Sequence, residues 1–236
     1  MIALITRLYR KVFCRGGHGV HSPFAFDLIT TVIEDRCGYY CYDSLSAIRK
    51  QLLFDDSKIR YNNREYTVKQ YLDKYCFSEN EDRLLFRLAN RFKPKMILMT
   101  GSDLGLAPLY ITAYSKDAQC IVVEKEKDIA VVSRKYIDKY SSSIELVCSG
   151  DLGNDEIDFI VLGNGSSDFE TSLGLVNDKT VMVVADIQTS KASRKKWKLI
   201  CNHPRVTVTF DLYSLGIVFF NPKLHRKTYK SLTINH

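Results

Sequence analysis

Two textures of hydrophobic spacing meet near Lys95. Upstream, apolar residues recur at helical intervals. Ile2, Ile5, Leu8, Val12 and Phe13 share one face, with Arg7, Arg10 and Lys11 opposite. Such a helix has the protein body, a second chain or a lipid surface as its possible partner, and packing is the commonest answer for one so short. Ser22-Pro23 predicts a helix start, because a serine oxygen accepts from orphan amides and proline is already set for the first helical position. Phe24, Leu28, Ile29, Val32 and Ile33 supply the apolar face that follows. Further helices are predicted over 42–53, 64–75 and 79–91, and the last carries Leu84, Leu85, Leu88 and Phe92 at a spacing suited to covering a sheet.

Downstream, short apolar runs alternate with helical stretches, the pattern of a parallel sheet wrapped by helices. Strands are predicted over 96–100, 120–124, 144–149, 157–162 and 181–186, and helices over 104–115, 127–140, 168–175 and 190–202. The β-rich runs 205–211 and 215–220 lie too close for a crossover helix and must form an antiparallel hairpin. The expected fold is therefore a doubly wound α/β sheet, mainly parallel and ending in a hairpin. A helical extension over 1–94 precedes the α/β domain of 95–222, and a basic tail covers 223–236.

Composition narrows the class. With 236 residues, 45% hydrophobic and 26% charged, the chain can bury one or two cores. The opening Met1-Ile-Ala-Leu-Ile-Thr lacks a basic leader and a cleavage site, and no stretch approaches the roughly 18 apolar residues of a membrane span. Seven scattered cysteines without a C-x-x-C pair fit a reducing cytoplasm; Cys37 and Cys41 could share a helical face, but no second ligand pair accompanies them. The net charge of +7 is concentrated at the ends, where residues 189–236 carry ten Lys/Arg against Asp211 alone. No recognisable aromatic-interleaved basic motif accompanies this charge, so it reads as solvated faces and a ragged tail rather than a nucleic-acid surface.

Candidate chemistry gathers at strand ends. In Thr100-Gly-Ser-Asp-Leu-Gly105, Gly101 and Gly105 let backbone approach a ligand, while Ser102 or Asp103 offers hydrogen bonds; a structural turn without a ligand is the competing reading. Glu124 closes the second strand of this region, and Gly150-Asp-Leu152 follows the third. Asp186 ends the fifth. His21, as an imidazole, is a second candidate base, or else a buried histidine at a helix start. The chain contains no G-x-S-x-G, G-x-x-x-x-G-K-[ST] or H-E-x-x-H.

Three segments carry a family likeness: Gly19-Val-His-Ser-Pro-Phe-Ala-Phe26, Leu84-Leu-Phe-Arg-Leu-Ala-Asn90 and the hairpin Val206-Thr-Val-Thr-Phe-Asp-Leu-Tyr-Ser-Leu-Gly-Ile-Val-Phe-Phe220. Through them the chain resembles class I S-adenosylmethionine-dependent methyltransferases of a bacterial group similar to small-molecule O-methyltransferases. The resemblance implies a seven-stranded sheet and an S-adenosylmethionine site. Gly101, Ser102, Asp103 and Gly105 would stand around the methionine part, Glu124 would accept from both ribose hydroxyls, and Asp151 would lie beside the adenine. It also exposes departures. Met99 stands where the family usually has an acid, Leu162-Gly-Asn-Gly165 replaces an Asp-Gly pair, and Ala185-Asp-Ile-Gln188 replaces two acids and a histidine. A divalent cation needs several hard oxygen ligands, so no catalytic metal is expected. The reading is a metal-independent transfer of a methyl group to oxygen or nitrogen of a small molecule, with Asp186 or His21 as base. The alternative is an inactive methyltransferase-like binding or assembly module, and a homo-oligomer is compatible with either.

Overall fold

Ser22 caps the first described helix, α1 (Pro23–Leu28), accepting from the Ala25 amide at 3.3 Å, and the chain runs on through a π-helical turn to Ile33. The computed structural model describes residues 20–148, 156–163 and 169–230, so the predicted helix around Ile2 to Phe13 lies outside the described residues. Helix α2 (Tyr42–Leu52) buries Tyr42, Leu45, Ile48 and Leu52.

The helix predicted over 64–75 is corrected here. Its first part belongs to a hairpin of β1 (Lys58–Tyr61) and β2 (Arg64–Thr67), and only α3 (Val68–Tyr75) is helical. Asn62 and Asn63 turn the chain with φ of 50° and 59°, a left-handed pair that asparagine tolerates and that suits a two-residue hairpin. Thr67 then starts α3 through a capping box with Gln70. A second capping box, Ser78 with Glu81, starts α4 (Glu79–Phe92).

The sheet is built from β3 (Met96–Thr100), β4 (Gln119–Val123), β5 (Ile144–Val147), β6 (Phe159–Leu162), β7 (Val181–Ala185), β8 (Val208–Asp211), β9 (Leu215–Phe219) and β10 (Lys227–Lys230). Their spatial order is β5-β4-β3-β6-β7-β9-β8-β10, with β9 antiparallel to both neighbours and the remaining pairs parallel. The helices between them are α5 (Leu106–Thr112), α6 (Lys127–Tyr140), α7 (Phe169–Leu173) and α8 (Lys191–Asn202).

Among the described residues the sheet has eight strands and not seven, because part of the stretch read as a ragged tail pairs with β8. Tyr229 stacks on Phe210 at 5.2 Å, and Thr228 bonds Thr209 at 2.8 Å. Arg226 anchors this strand by donating to the carbonyls of Asn202, His203 and Pro204 at the end of α8.

Two apolar layers sandwich the sheet. On one face Leu28, Leu45, Leu52, Leu85 and Ile137 share a core with Ile97, Val122 and Phe219. On the other, Trp197 and Ile200 of α8 cover Ile160, Met182 and Val218. Residues before Lys95 thus enter the same core as the strands. No helix among the described residues is long and apolar enough to cross a membrane.

Candidate active site

The turn after β3 is left-handed at four of its five residues: φ is 81° at Gly101, 51° at Asp103, 53° at Leu104 and 89° at Gly105. Glycine adopts this freely, but Leu104 is strained by roughly 1–2 kcal/mol, and α5 starts later than predicted because these residues cannot be helical. Side chains hold the turn in place. Asp103 accepts from the Phe77 amide at 2.7 Å and the Ala107 amide at 3.2 Å. Ser102 donates to Glu124 Oε2 from its amide at 2.9 Å and its hydroxyl at 2.8 Å.

Four of the predicted cofactor residues meet here, in different roles. Gly101 is open: a Cβ added to it would touch only the Gly163 Cα, at 4.0 Å. Gly105 faces away, toward α6, where a Cβ would lie 3.2 Å from both Ile137 Cγ1 and the Ser133 carbonyl. Glu124 is 6% exposed; its Oε2 is taken by Ser102, while Oε1 accepts the Glu126 amide at 3.0 Å. Asp151 lies outside the described residues.

Around the turn opens a cleft of about 330 Å³. The ends of β3, β4, β6 and β7 form its floor, with Thr100, Gly101, Glu124, Gly163 and Asp186 on the lining. This is where the winding of a doubly wound sheet reverses, between β3 and β6, and where such sheets bind ligands. Tyr61, Tyr71, Tyr75, Cys76 and Phe77 form the facing wall. Sequence reading missed that wall because it placed the first of these tyrosines outside any element; the signal lay in Asn62-Asn63 between short alternating runs.

Asp186 sits at φ 57°, half-buried, and burial followed by the charge of Glu81 pushes its carboxyl up. His21 is exposed one residue before the Ser22 cap and does not line the cleft. It is not the buried helix-start histidine of the competing reading either. Gly163 was noted only for a missing acid, yet a Cβ there would stand 2.3 Å from the Thr100 carbonyl, so no side chain fits. Gln188 donates to Asp211 at 3.0 Å. Cys37 is exposed and Cys41 buried, so the two do not present a shared ligand face. No cluster of three His, Cys, Asp or Glu suited to a metal occurs among the described residues.

Beneath the tyrosine wall, Arg49 Nη2 donates to the Phe77 carbonyl at 2.6 Å and to Asp82 Oδ2 at 2.7 Å. Asp82 is fully buried, and burial holds its carboxyl well above the usual range. Burial likewise pushes the Asp103 carboxyl up to about 7, against the pull of its hydrogen bonds and of Arg49.

No family model and no curated protein matches the chain. Solved structures do. The SAH-bound methyltransferase PaMTH1 of Podospora anserina superposes with a TM-score of 0.55 at 14% identity, over 79% of this chain and 99% of its own. An O-methyltransferase of Bacillus cereus in complex with SAH gives 0.53 at 14%, over 83% and 96%. The O-methyltransferase TomG of Streptomyces achromogenes, in complex with SAM, gives 0.54 at 13%, over 84% and 94%. At these identities the likeness is one of architecture: the chain has the class I methyltransferase fold.

Proposed function

We propose that the chain is an S-adenosylmethionine-dependent methyltransferase, acting without a metal ion on oxygen or nitrogen of a small molecule. The observation that carries this is the pairing of an open Gly101 with Glu124 at the switch point of the sheet. Glu124 Oε2 is spent on Ser102, but Oε1 accepts from the Glu126 amide and can accept a second bond, and Glu124 lines the cleft, which fits a ribose diol. The named neighbours, bound to SAH or SAM, support the same reading.

When bound, the cofactor supplies an electrophilic methyl group on a sulfonium. The chain's own residues do the rest. The turn from Gly101 to Gly105 would shape the cradle, Ser102 orients Glu124, and Glu124 would hold the hydroxyls. Asp186, raised by burial, is placed to take a proton from the acceptor, and the tyrosine wall excludes water and aligns it. A Cβ at position 163 would meet the Thr100 carbonyl at 2.3 Å, so this backbone does not accommodate an acid there without shifting, which supports the metal-free reading.

One observation favours a second reading, an inactive binding module: the polar atoms of Ser102 and Asp103 are already committed inside the protein. Calorimetric titration with SAH separates the two. The enzyme reading expects roughly micromolar binding, and no heat at about 1 mM SAH would favour the module.

A further inference from the structure

The tyrosine wall is tied to the turn after β3 through one arginine. Phe77 is held on both sides: the Arg49 guanidinium grips its carbonyl at 2.6 Å, and the Asp103 carboxylate accepts its amide at 2.7 Å. Asp82 braces Arg49 at 2.7 Å from a fully buried position. The arrangement is costly. Asp82 Oδ1 and Arg49 Nε are buried without a partner in the described structure, and an apolar pair of similar volume would often be as stable or more so. The turn it reaches carries left-handed φ at Asp103 and Leu104, a strain that persists only where the surroundings over-determine it.

We infer that Arg49 is a positioning residue: braced by Asp82, it fixes Phe77 and through Phe77 the Asp103 turn, so that α2 completes the cleft. The inference rests on reading the cleft as a cofactor site. It favours arginine, because Nη2 serves both acceptors through two N–H bonds held at fixed planar angles, whereas a lysine ammonium is a freely rotating point charge on a flexible stem.

Asp103 is faced by Arg49, Cys76, Asp82 and Tyr71. Burial brings it to about 7. Its protonation removes an acceptor from the Phe77 or Ala107 amide, so cofactor affinity is highest above that pH and falls as pH drops through it.

The test uses the full chain and two readouts. The first is calorimetric SAH affinity between about pH 6 and 8.5, a range that brackets neutral titration. The second, without cofactor, is the rate at which iodoacetamide modifies Cys76, mapped by mass spectrometry; Cys76 lines the cleft next to Phe77. Arg49→Lys is expected to weaken SAH binding and to speed Cys76 modification, each roughly tenfold, the scale of one lost charge-assisted hydrogen bond. Arg49→Gln would leave Asp82 buried and unpaired and is expected to fold poorly. The paired variant Arg49→Met/Asp82→Leu removes both charges, is expected to keep its Tm, and should show the same weaker SAH binding and faster Cys76 modification. Wild-type SAH affinity and Cys76 rates in both variants would overturn the inference. If the wild type binds no SAH, the proposed function fails, and the Cys76 rates still decide the positioning role.

Discussion

Two residues in the cleft are set by contacts that a change of one atom would expose. Gly163 packs its Cα against the end of β3, and the Cβ of Gly163→Ala would meet the Thr100 carbonyl at 2.3 Å. Backbone cannot yield as a side-chain tip does, so we expect a loss of about 1–3 kcal/mol, read as a lower Tm, with weaker SAH binding. Asp103 gives a pH signature. Its folded carboxyl is raised from 3.8 to about 7, so the folded state keeps a proton that the unfolded chain has released. Stability therefore falls as pH rises from about 4 to about 7, and Asp103→Asn should flatten that fall in thermal melts across this range. Gly101 and Glu124 were legible in the sequence, because a glycine after a strand and an acid ending one are local signals. Gly163 was not, since the atom that forbids its side chain belongs to a neighbouring strand.

Among the elements, α8 carries its charge against its own dipole. Lys191 opens it, its first turn has no acid and its last turn no base, whereas α4 begins with Glu79, Glu81 and Asp82 and ends with Arg91. Lys191→Glu, at an exposed position, should raise stability by about 0.3–1 kcal/mol at low salt, seen as a small rise in Tm that added salt removes. The long helices α4, α6 and α8 were predicted within a residue or two, because their periodicity and caps are local. The β1–β2 hairpin was not. Four residues per strand are too few to establish a period of two, and Tyr71, Lys74 and Tyr75 extend a helical pattern backward over β2. β10 was read as solvated for a similar reason: its lysines are exposed as expected, but Tyr229 is buried in the core, stacked on Phe210 of another strand.

At the scale of the whole molecule, the alternation of strands and helices after Lys95 sufficed to predict the doubly wound sheet and its closing hairpin. The facing wall of the cleft was beyond reach, because Tyr61, Tyr75 and Phe77 meet Glu124 only after α2, α3 and α4 fold against the turn. The proposed function rests on one cleft, with Glu124 as the acid assigned to the ligand. The most direct measurement is calorimetric SAH binding to the wild type, Glu124→Gln and Glu124→Ala at about pH 8, above the Asp103 transition. We expect roughly micromolar binding to the wild type, a loss of about tenfold or more in Glu124→Gln, and no detectable binding in Glu124→Ala, which also loses the Ser102 bonds and so melts at a lower Tm. Equal affinity in all three proteins, or none in the wild type, would contradict the proposed function.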